Sequence, residues 1–490
     1  MRCGSMADEK DDAKGVSRRG FLRGAGAGAV VVAGAGVMAN AMGAEQKGCK
    51  TAGCDYDVVV IGGGFAGVTA ARDCRKNGYK TLVLEARNRL GGRTFSTEFA
   101  GHKVELGGTW IHWTQPFVWA ETQRYGLKVI ESPERAESSL ETMVILAEGK
   151  RTQLAGEELL PVLQAFDTYF ADARDIWERP YDSRFRWNKL MAQDSLSARD
   201  RLDQLKLNPV HRAAVDSYLV GMSHCPSDQV SYNEMARWWA LPGYNLSVLN
   251  DSLTRYTFKD GTISLINAMI EDGKPEVRLS TPVKKVEDKG DHVVVTTQKG
   301  ERIVAGSVVL ALPMNVLPNI EFSPALDPKL IEAAHERHAG TGVKAVIKVK
   351  GKVGGEGKLY GLADSDHPLN VVFTYAKAED HTLFIGFGDD PAKLDVLDRD
   401  AVQQVMQSFF PEMEVEDCFG YDWNLDPYSR GTWASYRPGW YGKYADHFGK
   451  APGSRMFFAQ GDHGEGWRGF IDGAIGGGGK AALLVKELLG

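Results

Sequence analysis

Tyr56-Asp57-Val58-Val59-Val60-Ile61-Gly62-Gly63-Gly64-Phe65-Ala66-Gly67 decides the fold of this 490-residue chain. The stretch reads as an apolar strand that stops at glycines and opens into a helix. Gly62 permits a tight turn, Gly64 lets backbone approach a pyrophosphate, and Gly67 lets helix and strand pack closely. The helix N-terminus that follows offers free N–H groups and the positive end of its dipole to an anion. Thr81-Leu82-Val83-Leu84 reads as the next strand. Glu85 ends it, where an acidic side chain can bond a ribose hydroxyl. A lone glycine fingerprint is a weak signal. Here strand, turn, helix, second strand and acid arrive in order, which predicts a dinucleotide site; a structural βα turn is the alternative.

Working outward, Gly91-Gly92-Arg93 supplies a second glycine turn and a cation that could reach the same phosphates. Ser307-Val308-Val309-Leu310-Ala311-Leu312-Pro313 reads as a buried strand halted by proline. Met456-Phe457-Phe458-Ala459 reads as a short strand leading through a Gly-rich loop to a helix from about Asp472 to Leu489. The run from Arg278 through Val283 and Val286 to Val295 suggests a β-meander. Residues 120 to 250 show helical spacing and carry Trp177, Trp187, Trp238 and Trp239, which predicts helices covering a pocket. Residues 320 to 422 mix alternating strands with helix and predict its floor. The fold class expected is therefore α/β with an α+β substrate part. A Rossmann-like nucleotide domain (residues 45–119, 253–318 and 425–490) interleaves with a substrate domain (120–252 and 319–424).

Length allows two domains with their own cores. The net charge is −6 and 25% of residues are charged, so no basic surface for nucleic acid is implied. The six cysteines form no CxxC pair and no metal-like cluster. Cys49 and Cys54 could pair in an oxidising compartment, and Cys74 reads as a buried apolar residue of the first helix. Ser17-Arg18-Arg19-Gly20-Phe21-Leu22-Arg23 resembles a twin-arginine export signal. A weakly apolar segment from Gly24 to Met38 and Ala39-Asn40-Ala41 as cleavage site complete it. A membrane anchor and a basic tail are the alternatives. The expectation is a signal over residues 1–44, the twin-arginine translocase as a partner, and a periplasmic or otherwise extracytoplasmic location.

These motifs together resemble the flavin-containing amine oxidases over nearly all the chain beyond residue 44. Leu106-Gly107-Gly108-Thr109-Trp110 looks like the glycine pair beside the flavin ring. Thr341-Gly342-Val343-Lys344-Ala345-Val346 looks like the strand whose lysine bonds flavin N5 through water. By pattern alone, Lys344, Lys348 and Lys350 also fit the solvated face of an ordinary strand. Phe458-Ala459-Gln460-Gly461-Asp462 and Gly466-Trp467-Arg468-Gly469-Phe470-Ile471-Asp472 look like the C-terminal flavin signature, with Gln460 a departure from the usual glycine. The resemblance implies FAD, held by Gly62, Gly64, Phe65, Ala66, Gly67, Glu85, Ala86, Arg87, Gly92, Arg93, Gly107, Gly108, Thr109, Trp110, Val283, Gly461, Asp462 and Ile471. It implies an aromatic cage of Trp433 and Phe470, with Lys344 as the third catalytic residue. Both aromatics could equally be core residues. Thr432 stands where some relatives bond flavin through cysteine. A hydroxyl cannot form that thioether, so the FAD is expected to be non-covalent.

Within the family, Gly420-Tyr421-Asp422-Trp423-Asn424-Leu425-Asp426-Pro427 and Arg237-Trp238-Trp239-Ala240-Leu241 are most similar to the bacterial nicotine-degrading branch. That branch implies oxidation of a secondary N-methylamine on a pyridyl ketone to an imine, which hydrolyses to an aldehyde and methylamine. Tyramine-like amines and polyamines are the alternatives within the family. A desaturase or a flavin-binding scaffold is the alternative outside amine chemistry. The electron acceptor is O2 or a cytochrome c, no metal is expected, and the oligomeric state stays open, a homodimer included.

Overall fold

The computed structural model describes residues 53–132, 141–355, 357–449, 453–459 and 461–490. The export signal, the Cys49 side of the cysteine pair and Gln460 lie outside the described residues. Two large sheets are built from alternating stretches of chain, with two small two-stranded sheets beside them.

The first sheet grows from Tyr56–Ile61, every residue of which is buried. Thr81–Leu84 pairs with it in parallel on one side and Arg302–Leu310 in parallel on the other. Burial on both faces is why these strands read as continuous apolar runs. Val283–Asp288, Val293–Thr297 and Arg302–Leu310 form an antiparallel meander. Arg278 does not join it: Glu276–Arg278 lies on the opposite edge, parallel to Thr81–Leu84. Sequential neighbours are here separated by Ser280, whose left-handed backbone (φ 51°) turns the chain away. Met456–Phe458 adds in parallel to Arg302–Leu310. Glu321–Ser323 pairs in parallel with Val283–Asp288, so this sheet runs past residue 318.

Helix Phe65–Lys76 starts directly at Gly64 and packs between the sheet and helix Ile471–Leu489. Two close approaches explain its glycines. A Cβ on Gly67 would lie 1.9 Å from the Gly62 carbonyl oxygen, and one on Gly478 would lie 2.3 Å from that of Ala66. Neither helix could seat with alanine at these positions.

The second sheet has seven strands, in the order Val415–Gly420, Val343–Lys350, His381–Gly388, Val371–Lys377, Lys358–Ala363, Glu141–Ala147 and Lys150–Ala155. Its last two strands correct the helical reading of residues 120–250. Val144 and Ile145 are buried and pair in parallel with Gly361 and Leu362, so sheet burial overrides the helical spacing of the surrounding chain. Val129–Glu131 is also extended, pairing with Tyr256–Phe258. The rest of the segment is helical as expected: Leu160–Tyr169, Pro209–Ser223, Tyr232–Ala240 and Leu246–Thr254 each contribute side chains to one cavity. Among the described residues, no helix is long and apolar enough to cross a membrane.

Candidate active site

A continuous cavity of about 850 Å³ runs from the glycine-rich turn, past the ends of both sheets, to the covering helices. All but two of the residues singled out in the sequence line it. Gly67 is spent on helix packing, and Asp462 sits behind the wall.

At the nucleotide end, Gly62 adopts φ 108°, and a Cβ there would lie 2.3 Å from the Ala311 carbonyl oxygen. Gly64 caps the helix, and a Cβ on it would meet nothing nearer than Gly92 at 3.7 Å. The two glycine turns thus pack directly together at this end, the Gly91 N–H donating to the Gly63 carbonyl at 2.9 Å. Glu85 is buried and shapes this end: its Oε2 accepts the Gly63 N–H at 2.7 Å and its Oε1 the Arg87 N–H at 2.8 Å. A carboxylate has about four lone-pair sites, so each oxygen keeps capacity for a ribose hydroxyl. Arg87 is fixed by a fork of hydrogen bonds to Asp426, Nε at 3.0 Å and one terminal nitrogen at 2.8 Å, with Ser429 beside it. Arg89 stitches the second turn by donating to the carbonyls of Leu90, Gly92 and Thr94.

Arg93 lines the cavity and is paired behind it with Asp462. Burial alone would raise the Asp462 carboxyl. Arg93, with His338, outweighs it and holds the group well below the usual carboxylate range. The same carboxylate accepts the Met314 N–H at 2.9 Å. Asp462 therefore positions Arg93 and the chain after strand Arg302–Leu310, while Gly461, Val283 and Ile471 make the wall itself.

At the ring end, Gly107, Gly108, Thr109, Trp110 and Lys344 line the cavity together. Lys344 is buried, whereas Lys348 and Lys350 on the same strand pair with Glu416 and Glu414. Alternation puts all three on one face of the strand; burial at its start separates the cavity lysine from the two that pair with surface carboxylates. Lys344 Nζ lies 5.0 Å from the Trp110 ring and 5.9 Å from that of Phe387.

Trp433 and Phe470 meet at this end with ring centroids 5.5 Å apart, nearly perpendicular. Trp238 touches both, at 5.6 and 4.8 Å. The pair expected as a cage is therefore a corner of three rings with no slot between its members. Gly431 allows the approach of Trp433: it adopts φ 150°, and its neighbour Gly340 has room for no Cβ against Trp433 backbone. Behind Phe470 lies a buried network in which Arg468 donates to Glu234 and to Tyr441, and Arg237 donates to the Gly466 carbonyl and to Glu234. Burial would raise the Glu234 carboxyl, but Arg468 and Arg237 take it down to about 2. This charged brace fixes the loop that presents Phe470.

Asp426, Arg89, Glu234 and Trp238 were not assigned roles from the sequence. The partners of Asp426, Glu234 and Trp238 lie far along the chain, 339 residues away for Arg87 and Asp426, while Arg89 acts on its own turn, where only the folded backbone shows which carbonyls it meets. The Arg237-Trp238-Trp239 run was noticed, but only the fold shows which of its rings reaches the cavity.

A Rossmann-type turn, an acid at the second strand and a long apolar-walled cavity ending in aromatic rings define a flavin-dependent oxidoreductase. The chain belongs to the flavin containing amine oxidoreductase family, whose model matches residues 65–485. Its cofactor is FAD and it oxidises amines. It is 43% identical to a pseudooxynicotine dehydrogenase from a Pseudomonas species, over 99% of both chains. It is 38% identical to the nicotine dehydrogenase of Pseudomonas putida, covering 99% of this chain and 100% of that one. Among solved structures, putrescine oxidase bound to putrescine superposes with a TM-score of 0.75 at 22% identity, over 87% of this chain and 98% of the other. That likeness shows the fold.

Proposed function

We propose that the substrate is pseudooxynicotine, a secondary N-methylamine on a pyridyl ketone, oxidised to 3-succinoylsemialdehyde-pyridine and methylamine in nicotine degradation. The observation that carries this reading is the 43% identity to a pseudooxynicotine dehydrogenase over 99% of both chains. The cavity supports it: among the described residues, only Glu85 and Asp167 of the lining side chains are carboxylates. Glu85 is engaged by backbone N–H groups at the nucleotide end. Asp167 is exposed. Among the described residues, nothing anionic therefore waits deep in the pocket for the second ammonium of a polyamine. A second reading, nicotine itself, draws on the 38% identity to nicotine dehydrogenase.

When bound, FAD accepts the hydride equivalent from the carbon next to the nitrogen. The chain's residues prepare the amine for that loss. An alkylammonium with a pKa near that of lysine costs about 4.6 kcal/mol to deprotonate at pH 7. The dry walls around Trp433, Phe470, Trp238 and Phe373 disfavour the cation and offset part of that cost. Cation–π attraction would oppose this by roughly 2 kcal/mol. The aromatic corner therefore aligns a neutral amine. Carbon–nitrogen double-bond formation gives the imine, and water adds to it to release methylamine and the aldehyde.

Export through the twin-arginine translocase, with an extracytoplasmic location, is part of the same proposal and is supported by Ser17-Arg18-Arg19-Gly20-Phe21-Leu22-Arg23. Both Pseudomonas relatives are named dehydrogenases. This supports a cytochrome c rather than O2 as acceptor. Homodimer formation stays a proposal for measurement by light scattering. The test of the substrate is product analysis: purified enzyme with pseudooxynicotine and an acceptor should yield methylamine and the aldehyde in equal amounts. No methylamine would refute it.

A further inference from the structure

His224 lines the cavity with both ring nitrogens buried and without a hydrogen-bond partner in the protein. It is 5% exposed. A buried polar side chain left unsatisfied on both sides is costly unless the site's own ligand completes it. The backbone around it is firmly held. His224 ends helix Pro209–Ser223 in the left-handed region (φ 56°, ψ 39°), and its N–H donates to the Val220 carbonyl at 2.8 Å. Its own carbonyl accepts the N–H groups of Thr341 and Gly342 at 2.8 and 2.7 Å. The ring is thereby set between two parts of the reaction chamber, 5.1 Å from the Trp433 ring and 5.0 Å from that of Phe387. Phe387 is the cross-strand partner of Lys344.

Burial, with the charge of Lys344 adding to it, pushes the imidazole down to about 3. The ring is therefore neutral at pH 7, with one N–H donor and one acceptor nitrogen. A neutral donor in a dry wall selects a neutral acceptor, since it brings no charge of its own to pair.

We propose that His224 is a specificity-determining residue that donates its ring N–H to a neutral hydrogen-bond acceptor of the amine substrate, a carbonyl oxygen or an aryl nitrogen. This rests on the proposed pyridyl-ketone substrate and adds which residue reads its polar end. The reacting nitrogen stays with the aromatic corner, and His224 fixes the rest of the molecule.

Stopped-flow reduction of the FAD-loaded enzyme without oxygen tests it. Four amines serve: pseudooxynicotine, its deoxo analogue (no carbonyl), its phenyl analogue (no aryl nitrogen), and N-methyl-4-phenylbutylamine (neither). His224→Phe should lower the reduction rate constant over Kd for pseudooxynicotine by about tenfold to a hundredfold. The loss should shrink to under about threefold for N-methyl-4-phenylbutylamine. The single-acceptor analogue that keeps the loss names the atom bonded. His224→Asn suits the left-handed backbone and keeps a donor. It should retain part of the discrimination, with flavin content and spectrum as in wild type. Equal losses for all four amines would mean a structural role and overturn the proposal. A His224→Phe enzyme that pseudooxynicotine reduces as well as it reduces wild type would also overturn it. Wild-type enzyme that pseudooxynicotine does not reduce would overturn the proposed function and the anchor together.

Discussion

The ammonium of Lys344 donates to the Thr109 hydroxyl at 2.6 Å and to the Gly107 carbonyl at 3.1 Å. One strand of the second sheet thus holds, by its single buried lysine, the segment of the glycine pair in place beside the cavity. We propose that a positive charge at this place serves the return of electrons, when negative charge has accumulated beside it. Lys344→Met should slow reoxidation of the reduced enzyme by its acceptor about tenfold or more, and anaerobic reduction by no more than a few fold. Separate stopped-flow measurements of the two half-reactions decide this. A variant slowed only in reduction would contradict the assignment.

Thr432 lines the cavity, and its hydroxyl makes no hydrogen bond within the protein. No thiol stands at that position to form a thioether. Precipitation with acid should leave all of the flavin in the supernatant, read by its absorbance. Yellow pellet protein would show a covalent link.

Asp426 reaches Arg87 with both carboxylate oxygens, and burial, which would raise its carboxyl, is outweighed by Arg87 so that the group stays below the usual range. Asp426→Ala leaves Arg87 half-buried without this partner beside the nucleotide end. Removing one partner of such a pair costs on the order of 2–5 kcal/mol. The expected result is weaker FAD binding, measured by fluorescence titration of the apoprotein, together with a lower melting temperature. Unchanged affinity would remove Asp426 from the cofactor site.

Asp472 supplies a pH signature. Its Oδ1 accepts the Val118 N–H at 2.9 Å, at the start of helix Pro116–Arg124, while Oδ2 is buried without a partner. Burial pushes its carboxyl up to about 7. A carboxyl that keeps its proton longer in the folded state makes folding less favourable as pH rises from about 4 to about 7, with little further change above. The upper bound on this loss is about 4 kcal/mol, reduced by the positive dipole end of the helix it caps. Asp472→Asn keeps the acceptor and removes the ionisation. Its melting temperature should fall less than that of wild type between pH 5 and pH 8. Parallel curves would show that Asp472 titrates in its ordinary range.

The nucleotide half was legible because its chemistry is local. Gly62, Gly64 and Glu85 lie within one βα unit, and their spacing carries the geometry. Lys344 was legible only through its family frame, since alternation alone cannot say which lysine of Val343–Lys350 meets the interior. Strand Glu141–Ala147 is hidden in the sequence because its partner Lys358–Ala363 lies more than 200 residues ahead in the chain, and Lys150–Ala155 joins the sheet only as its hairpin partner. The sequence pointed to Trp433 and Phe470 as an aromatic pair, and the structure brings the two together with Trp238 as a third ring. That Trp433, Phe470 and Trp238 close into one corner depends on Gly340, Gly431 and the Glu234–Arg468 brace, which no sequence periodicity records. His224 reads in the sequence as an ordinary residue after a helix; its unsatisfied nitrogens exist only in three dimensions.

The central claim is that this cavity oxidises a pyridyl-ketone N-methylamine. Mixing the purified enzyme anaerobically with pseudooxynicotine, nicotine, tyramine and spermidine, and following the flavin band near 450 nm (roughly, for oxidised flavin), tests it most directly. Fast bleaching by pseudooxynicotine, with the other three slower by about a hundredfold or more, is the result predicted. Fast bleaching by tyramine or spermidine, with pseudooxynicotine slow, would contradict it.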